Sequence, residues 1–67
     1  MYKLIAISKT SHGTMYYAVI NEFAVVEAIV KSKDGSCFDI RFLETIPSGN
    51  ERILAFVRAE EKKGQLK

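Results

Sequence analysis

The stretch VEAIVKSKDGSCFDIRF, Val26–Phe42, decides the fold. In its second arm Phe38, Ile40 and Phe42 are separated by Asp39 and Arg41, the period-two pattern of a half-buried strand. Its first arm carries Val26, Ile29 and Val30, which with the preceding Val25 make four β-branched residues that favour a strand. Between the arms stands Lys33-Asp34-Gly35, so the stretch reads as a β-hairpin. A two-residue Asp34-Gly35 turn would set Lys31 opposite Phe38 and Glu27 opposite Phe42, bringing charge onto the apolar face. A three-residue loop, with Gly35 in the left-handed conformation that glycine adopts without strain, instead pairs Val30 with Phe38, Ala28 with Ile40 and Val26 with Phe42. On the other face it pairs Glu27 with Arg41 and Val25 with Leu43. A slip of one residue turns every side chain over, so the three-residue loop is the expected register.

The flanking segments extend this hairpin into a sheet. Tyr2–Ser8 reads as a strand with Leu4 and Ala6 on one face and Ile5 and Ile7 on the other. Lys9–Thr14 is a polar connection, and Met15–Ile20 is a second strand rich in aromatic and β-branched residues. Ile46-Pro47 ends the sheet, because proline has no N–H for a ladder. Ser48-Gly49-Asn50-Glu51 fits a capping box, with Ser48 at the N-cap and Glu51 reaching back. Glu51–Lys63 is rich in good helix formers, with Ile53, Leu54, Phe56 and Val57 on one side. Glu60 and Glu61 interrupt that side, so the last turn is expected in solvent. Gly64 suits the position after the helix, and residues 64–67 are expected to be a loose tail.

The predicted architecture is α+β: a four-stranded antiparallel sheet in β-β-β-β-α meander order, with one C-terminal helix packed on one face. Residues 1–67 form one domain, with residues 1–63 as its ordered core. Two other folds are open. Residues 22–33 could be helical, giving ββαβα, with Asn21 as cap and Gly35 as terminator. Alternatively, the strands could curl into a small barrel. Here His12–Ile20 and Asp34–Phe42 resemble the strand rhythm of SH3-like and Tudor-like barrels, in which a Gly-x-x-Tyr-x-Ala-x-Val strand precedes an aromatic one. That resemblance implies an SH3-like barrel plus helix and carries no function with it.

A chain of 67 residues buries only roughly 60% of its unfolded surface. Such chains often gain stability by self-association or by docking. One cysteine, Cys37, rules out an internal disulfide and a cysteine-based zinc site, and suits a reducing, cytoplasmic setting. One histidine, His12, leaves any metal centre dependent on carboxylates, for which no ligand spacing is present. The apolar run Leu4–Ile7 is too short for a signal peptide, and nothing approaches a membrane span. A net charge of +2 is too mild to point to nucleic acid by itself.

Catalytic groupings are also missing. His12, in Thr10-Ser11-His12-Gly13-Thr14, has no second group placed to orient it and reads as a loop histidine. Cys37 falls opposite Lys31 in the expected register, where an ammonium would lower its pKa, although a lone cysteine is more often a small hydrophobe. Asp39 and Glu44 lie on opposite strand faces, and Glu60 and Glu61 do not face each other on a helix. No glycine-rich run leads into Lys-Ser or Lys-Thr. No cofactor and no enzymatic activity are expected.

The helix can cover only one sheet face. The face it leaves, with Val25, Glu27, Ile29, Arg41 and Leu43, is the candidate protein interface. The expected function is that of a small binding or regulatory module, in the manner of a phage or mobile-element accessory or inhibitor protein. It would act on a protein partner or as a homodimer. The second expectation is nucleic-acid binding through the sheet, or through a basic surface of Lys31, Lys33, Arg52, Arg58, Lys62 and Lys63.

Overall fold

A computed structural model describes residues 1–43 and 47–66 of the chain, the side chains of 47 and 48 excepted. Strands β1 (Lys3–Lys9), β2 (Met15–Ile20), β3 (Val26–Lys33) and β4 (Ser36–Phe42) are followed by helix α1 (Pro47–Lys62). The strands pair antiparallel in the order β1-β2-β3-β4. This is the predicted α+β meander. Residues 22–33 contain β3 rather than a helix, and the sheet is open rather than a barrel.

The central hairpin differs from expectation in its turn. Asp34 and Gly35 both have positive φ, 54° and 87°, the signature of a two-residue turn whose twist matches the strands it joins. Lys33 pairs with Ser36 and Ser32 with Cys37. The register then shifts, so that Lys31 pairs with Asp39, Val30 with Ile40, Ile29 with Arg41 and Ala28 with Phe42. Phe38 is the extra residue, a β-bulge. The bulge restores the alternation that the short turn had broken: Ile40 and Phe42 rejoin Ala28 and Val30, while Phe38 is left 60% exposed. The expected pairs Val30–Phe38, Ala28–Ile40, Val26–Phe42 and Glu27–Arg41 are therefore replaced.

Two further bulges follow the same logic. Ile7 is extra between the pairs Ala6–Tyr17 and Ser8–Tyr16. Glu27 is extra between Val19–Ala28 and Ile20–Val26. The second bulge turns Val26 to the side of Ile20, away from the helix, against the expectation that Val26 belongs to the core. Continuous rows now cross the sheet. On the helix side they are Leu4–Val19–Ala28–Phe42, Ala6–Tyr17–Val30–Ile40 and Lys9–Met15–Ser32–Cys37.

Helix α1 starts at Pro47, one turn before the predicted Glu51. Its first residue is thus proline, whose fixed φ and missing N–H suit that position. Ser48 is inside the helix, not its cap; Ile46 and the Ser48 side chain lie outside the described residues. Ile53 and Val57 are buried at 2% and 1% exposure. Phe56 packs beside them and meets Tyr2 at 5.6 Å between ring centres. Val19 and Val30 complete the centre at 0%. Each such burial is worth about 1.5–3 kcal/mol.

Of the expected loose tail, residues 64–66 pack back against the helix and core, and Lys67 lies outside the described residues. Gly64, at φ 75°, donates its N–H to the Glu61 carbonyl, and Gln65 donates to the Glu60 carbonyl. This paired closure satisfies two helix-end carbonyls and reverses the chain. Leu66 is thereby carried into the core at 4% exposure, with its carbonyl against the Gly35 turn. Leu66→Ala is therefore expected to lower stability by about 2–3 kcal/mol, read as the unfolding midpoint in urea, while Gln65→Ala leaves it nearly unchanged. Equal effects would mean that the tail is not part of the core.

The loop joining β2 to β3 stores strain. The Asn21 side-chain carbonyl accepts from the Phe23 and Val25 amides at 2.8 and 3.1 Å. Ala24 stands at φ 62°, a conformation that costs a non-glycine residue roughly 1–2 kcal/mol. Ala24→Gly should raise stability by up to about 1 kcal/mol, and Asn21→Ala should lower it by about 1–2 kcal/mol. A loss on Ala24→Gly would contradict the strained loop.

Candidate protein-interaction face

The face away from α1 is built from the alternate rows Lys3–Ile20–Val26, Ile5–Ala18–Ile29–Arg41 and Ser8–Tyr16–Lys31–Asp39. Ile5 is 48% exposed, Ile7 54%, Val26 39% and Leu43 52%; they frame the half-buried Ile20 and Ile29. Ala18 between Ile5 and Ile29 is buried. The Leu43 N–H donates to the Glu27 carbonyl at 3.0 Å. Charge on this face comes from Lys3, Lys31, Asp39 and Arg41. Lys31 and Asp39 lie 3.8 Å apart as an exposed ion pair, worth less than about 1 kcal/mol. The same ammonium stands 5.6 Å from the Tyr16 ring centre.

Of the predicted interface residues, Ile29, Arg41 and Leu43 fall on this face. Glu27, the extra residue of its bulge, instead lines a hollow with Gly49, Asn50, Arg52 and Ile53 of α1. Ile29, not Glu27, is the neighbour of Arg41. Val25 lies one residue before β3, in the Asn21 loop, and is 54% exposed. Sequence reasoning missed Val26 and Tyr16 as members. Val26 could have been found only by anticipating the bulge at Glu27.

The predicted basic surface is divided. Lys31 and Lys33 belong to the sheet, whereas Arg52, Arg58 and Lys62 belong to α1 and Lys63 follows directly after it. Lys63 pairs with Glu60 at 3.6 Å. Tyr16 and Tyr17 point to opposite faces, and Tyr17 is buried in the core.

Cys37 has Ser32 as its cross-strand neighbour, not Lys31. Its backbone N–H donates to the Glu61 carboxylate at 2.7 Å, and its thiol faces the Asp39 carbonyl at 3.6 Å. Partial burial pushes the thiol pKa up, and the Glu61 and Asp39 carboxylates add to the rise, against smaller lowering effects of the Asp39 carbonyl and Arg58. This reverses the sequence expectation of a lowered pKa. His12 is exposed in the β1–β2 loop. Among the described residues no group of three or more His, Cys, Asp or Glu could hold a metal ion. Among the described residues no helix is long and apolar enough to cross a membrane. A groove of about 330 Å³ between β4 and α1 is lined by Cys37, Phe38, Asp39, Ile40 and Phe42 from the strand and Leu54, Val57, Arg58 and Glu61 from the helix.

A raised thiol pKa in the folded state means that stability is fully present below the unfolded thiol pKa and is lost as pH rises through the folded one. Wild-type protein should therefore lose stability above about pH 8.5 more steeply than Cys37→Ser. Alkylation of the folded thiol at neutral pH should be slower than that of a free cysteine peptide; faster alkylation would contradict the assignment. No family model, curated protein or solved structure matches the chain.

Proposed function

We propose that the chain is a non-enzymatic protein-binding module that docks through the sheet face opposite α1. The observation that carries this reading is the concentration of large apolar side chains, Ile5, Ile7, Val26 and Leu43, each at least 39% exposed, on one side of an open sheet. Surfaces of this kind mark interaction sites, because water contact with a contiguous apolar patch is relieved by a partner. The sparse rim of charges supplies orientation, as in protein interfaces with an apolar centre and polar margin. The role is that of a regulator or accessory that acts by occupying a surface.

Site-specific photo-crosslinking in cell extract tests this. A photoreactive residue at position 7 should give discrete protein adducts, and one at position 62, on the outer side of α1, should give few. The adducts at position 7 should disappear in an Ile5→Lys background. Equal labelling from both positions would overturn the reading. So would crosslinks that run to nucleic acid and fade as salt is raised, since that pattern reports phosphate contacts.

A further inference from the structure

Apart from the sheet face just proposed, we infer that the free edge of β1 takes an additional strand from a partner protein, an extended segment in which acidic residues flank apolar ones. Three observations meet at this edge.

The first is the backbone. β1 pairs with β2 on one side and, among the described residues, with no strand on the other. An antiparallel strand turns every second N–H and C=O away from its neighbour, so Lys3–Lys9 presents a row of unpaired donors and acceptors. The ligand that matches such a row is another extended backbone, bound by main-chain hydrogen bonds and selected by its alternate side chains.

The second is room. Helix α1 packs toward β4. Over the other side of the sheet lies a hollow of about 560 Å³, with Leu4, Ala6, Met15 and Tyr17 on its sheet side and Glu60 and Gln65 on its helix side. A strand added beside β1 would direct alternate side chains toward this hollow, next to Leu4 and Ala6, and the others toward the side of Ile5. Ala6 is small and exposed, so apolar residues of the added strand find space there.

The third is charge. Among residues 1–20 the only Lys, Arg, Asp or Glu side chains are Lys3 and Lys9. They stand at the two ends of β1, and both are exposed. Glu60, across the hollow, is already paired with Lys63. Opposite charges across a strand pair stabilise it and like charges oppose it. An acidic segment is therefore favoured, whereas antiparallel pairing of β1 with a second β1 along its whole length would set Lys3 against Lys9 twice. Lysines and bulges are the devices by which edges avoid indiscriminate pairing. Here the bulge at Ile7 leaves Lys3–Ala6 as the regular run, enough for a short segment of opposite charge.

Selection from a displayed library of random twelve-residue peptides, followed by NMR titration of an enriched peptide, tests the inference. Enriched peptides should carry Asp or Glu on both sides of alternating apolar residues, and should shift the amides of Lys3–Lys9 rather than those of β4. Backbone N-methylation of one alternate set of peptide amides should weaken binding at least tenfold and that of the other set should not, the signature of a strand paired along one edge. Lys3→Glu with Lys9→Glu should also weaken binding at least tenfold, with circular dichroism to check folding; if that variant does not fold, Lys3→Gln with Lys9→Gln replaces it. Leu43→Lys, on the sheet face and far from β1, should leave binding unchanged. Failure to enrich any peptide, enrichment without an acidic bias, or N-methyl effects without alternation each overturns the inference. So does tighter binding of a single-stranded oligonucleotide at the same amides. Binding lost through Leu43→Lys and kept in the lysine variants overturns the edge and supports the sheet face instead.

Discussion

Everything in this sheet depends on keeping Ala28 and Val30 on the same side as Ile40 and Phe42. These four residues, with Val19, form the floor on which Ile53 and Val57 rest. The Asp34-Gly35 turn, taken alone, would oppose that arrangement, since a two-residue connection sets the arms one residue out of phase with their apolar pattern. One additional residue in β4 removes the conflict. The bulge at Phe38 is thus the condition under which the preferred turn and the preferred burial coexist. It also leaves the Phe38 ring exposed beside the groove between β4 and α1.

The same bulge region ties the sheet to the helix. The Cys37 amide meets the Glu61 carboxylate at 2.7 Å, and a hydrogen bond to a charged acceptor is stronger than one between neutral groups. One turn later the glycine closure at Gly64 folds Leu66 into the core. In the middle of α1, Phe56 packs against Tyr2. The helix is therefore held by apolar contacts along its length and by a charged contact near its end. The two glutamates that look from sequence like a reason for the last turn to leave the sheet include the residue that fastens it.

Strand and helix identity were legible in the sequence because β-branched and aromatic residues, turn glycines and a proline agree with one another along most of the chain. The parity of the central hairpin was also legible: the pattern demands that Val30 share a face with Ile40, and it does. Which loop achieves that parity was not, because a three-residue loop and a two-residue turn with a bulge place residues on the same faces. The position of Phe38 went astray for this reason, and that of Val26 because of the separate bulge at Glu27. Leu66 escaped notice because a short polar-flanked tail carries no periodicity, and its burial depends on a reversal at Gly64 whose direction is set by tertiary packing. The side of the sheet that carries Ile29, Arg41 and Leu43 was legible from alternation, whereas Glu27, Val25 and Val26 were misplaced because a bulge and a loop interrupt that alternation.

The Glu61 contact has one more consequence. β4 is an edge strand, and an open edge is where sheets recruit further strands and grow without limit. Here one edge amide is already held by a carboxylate from the same chain. An incoming backbone must displace that charged acceptor before it can pair there. Glu61 thus acts as a gatekeeper against strand addition at this edge.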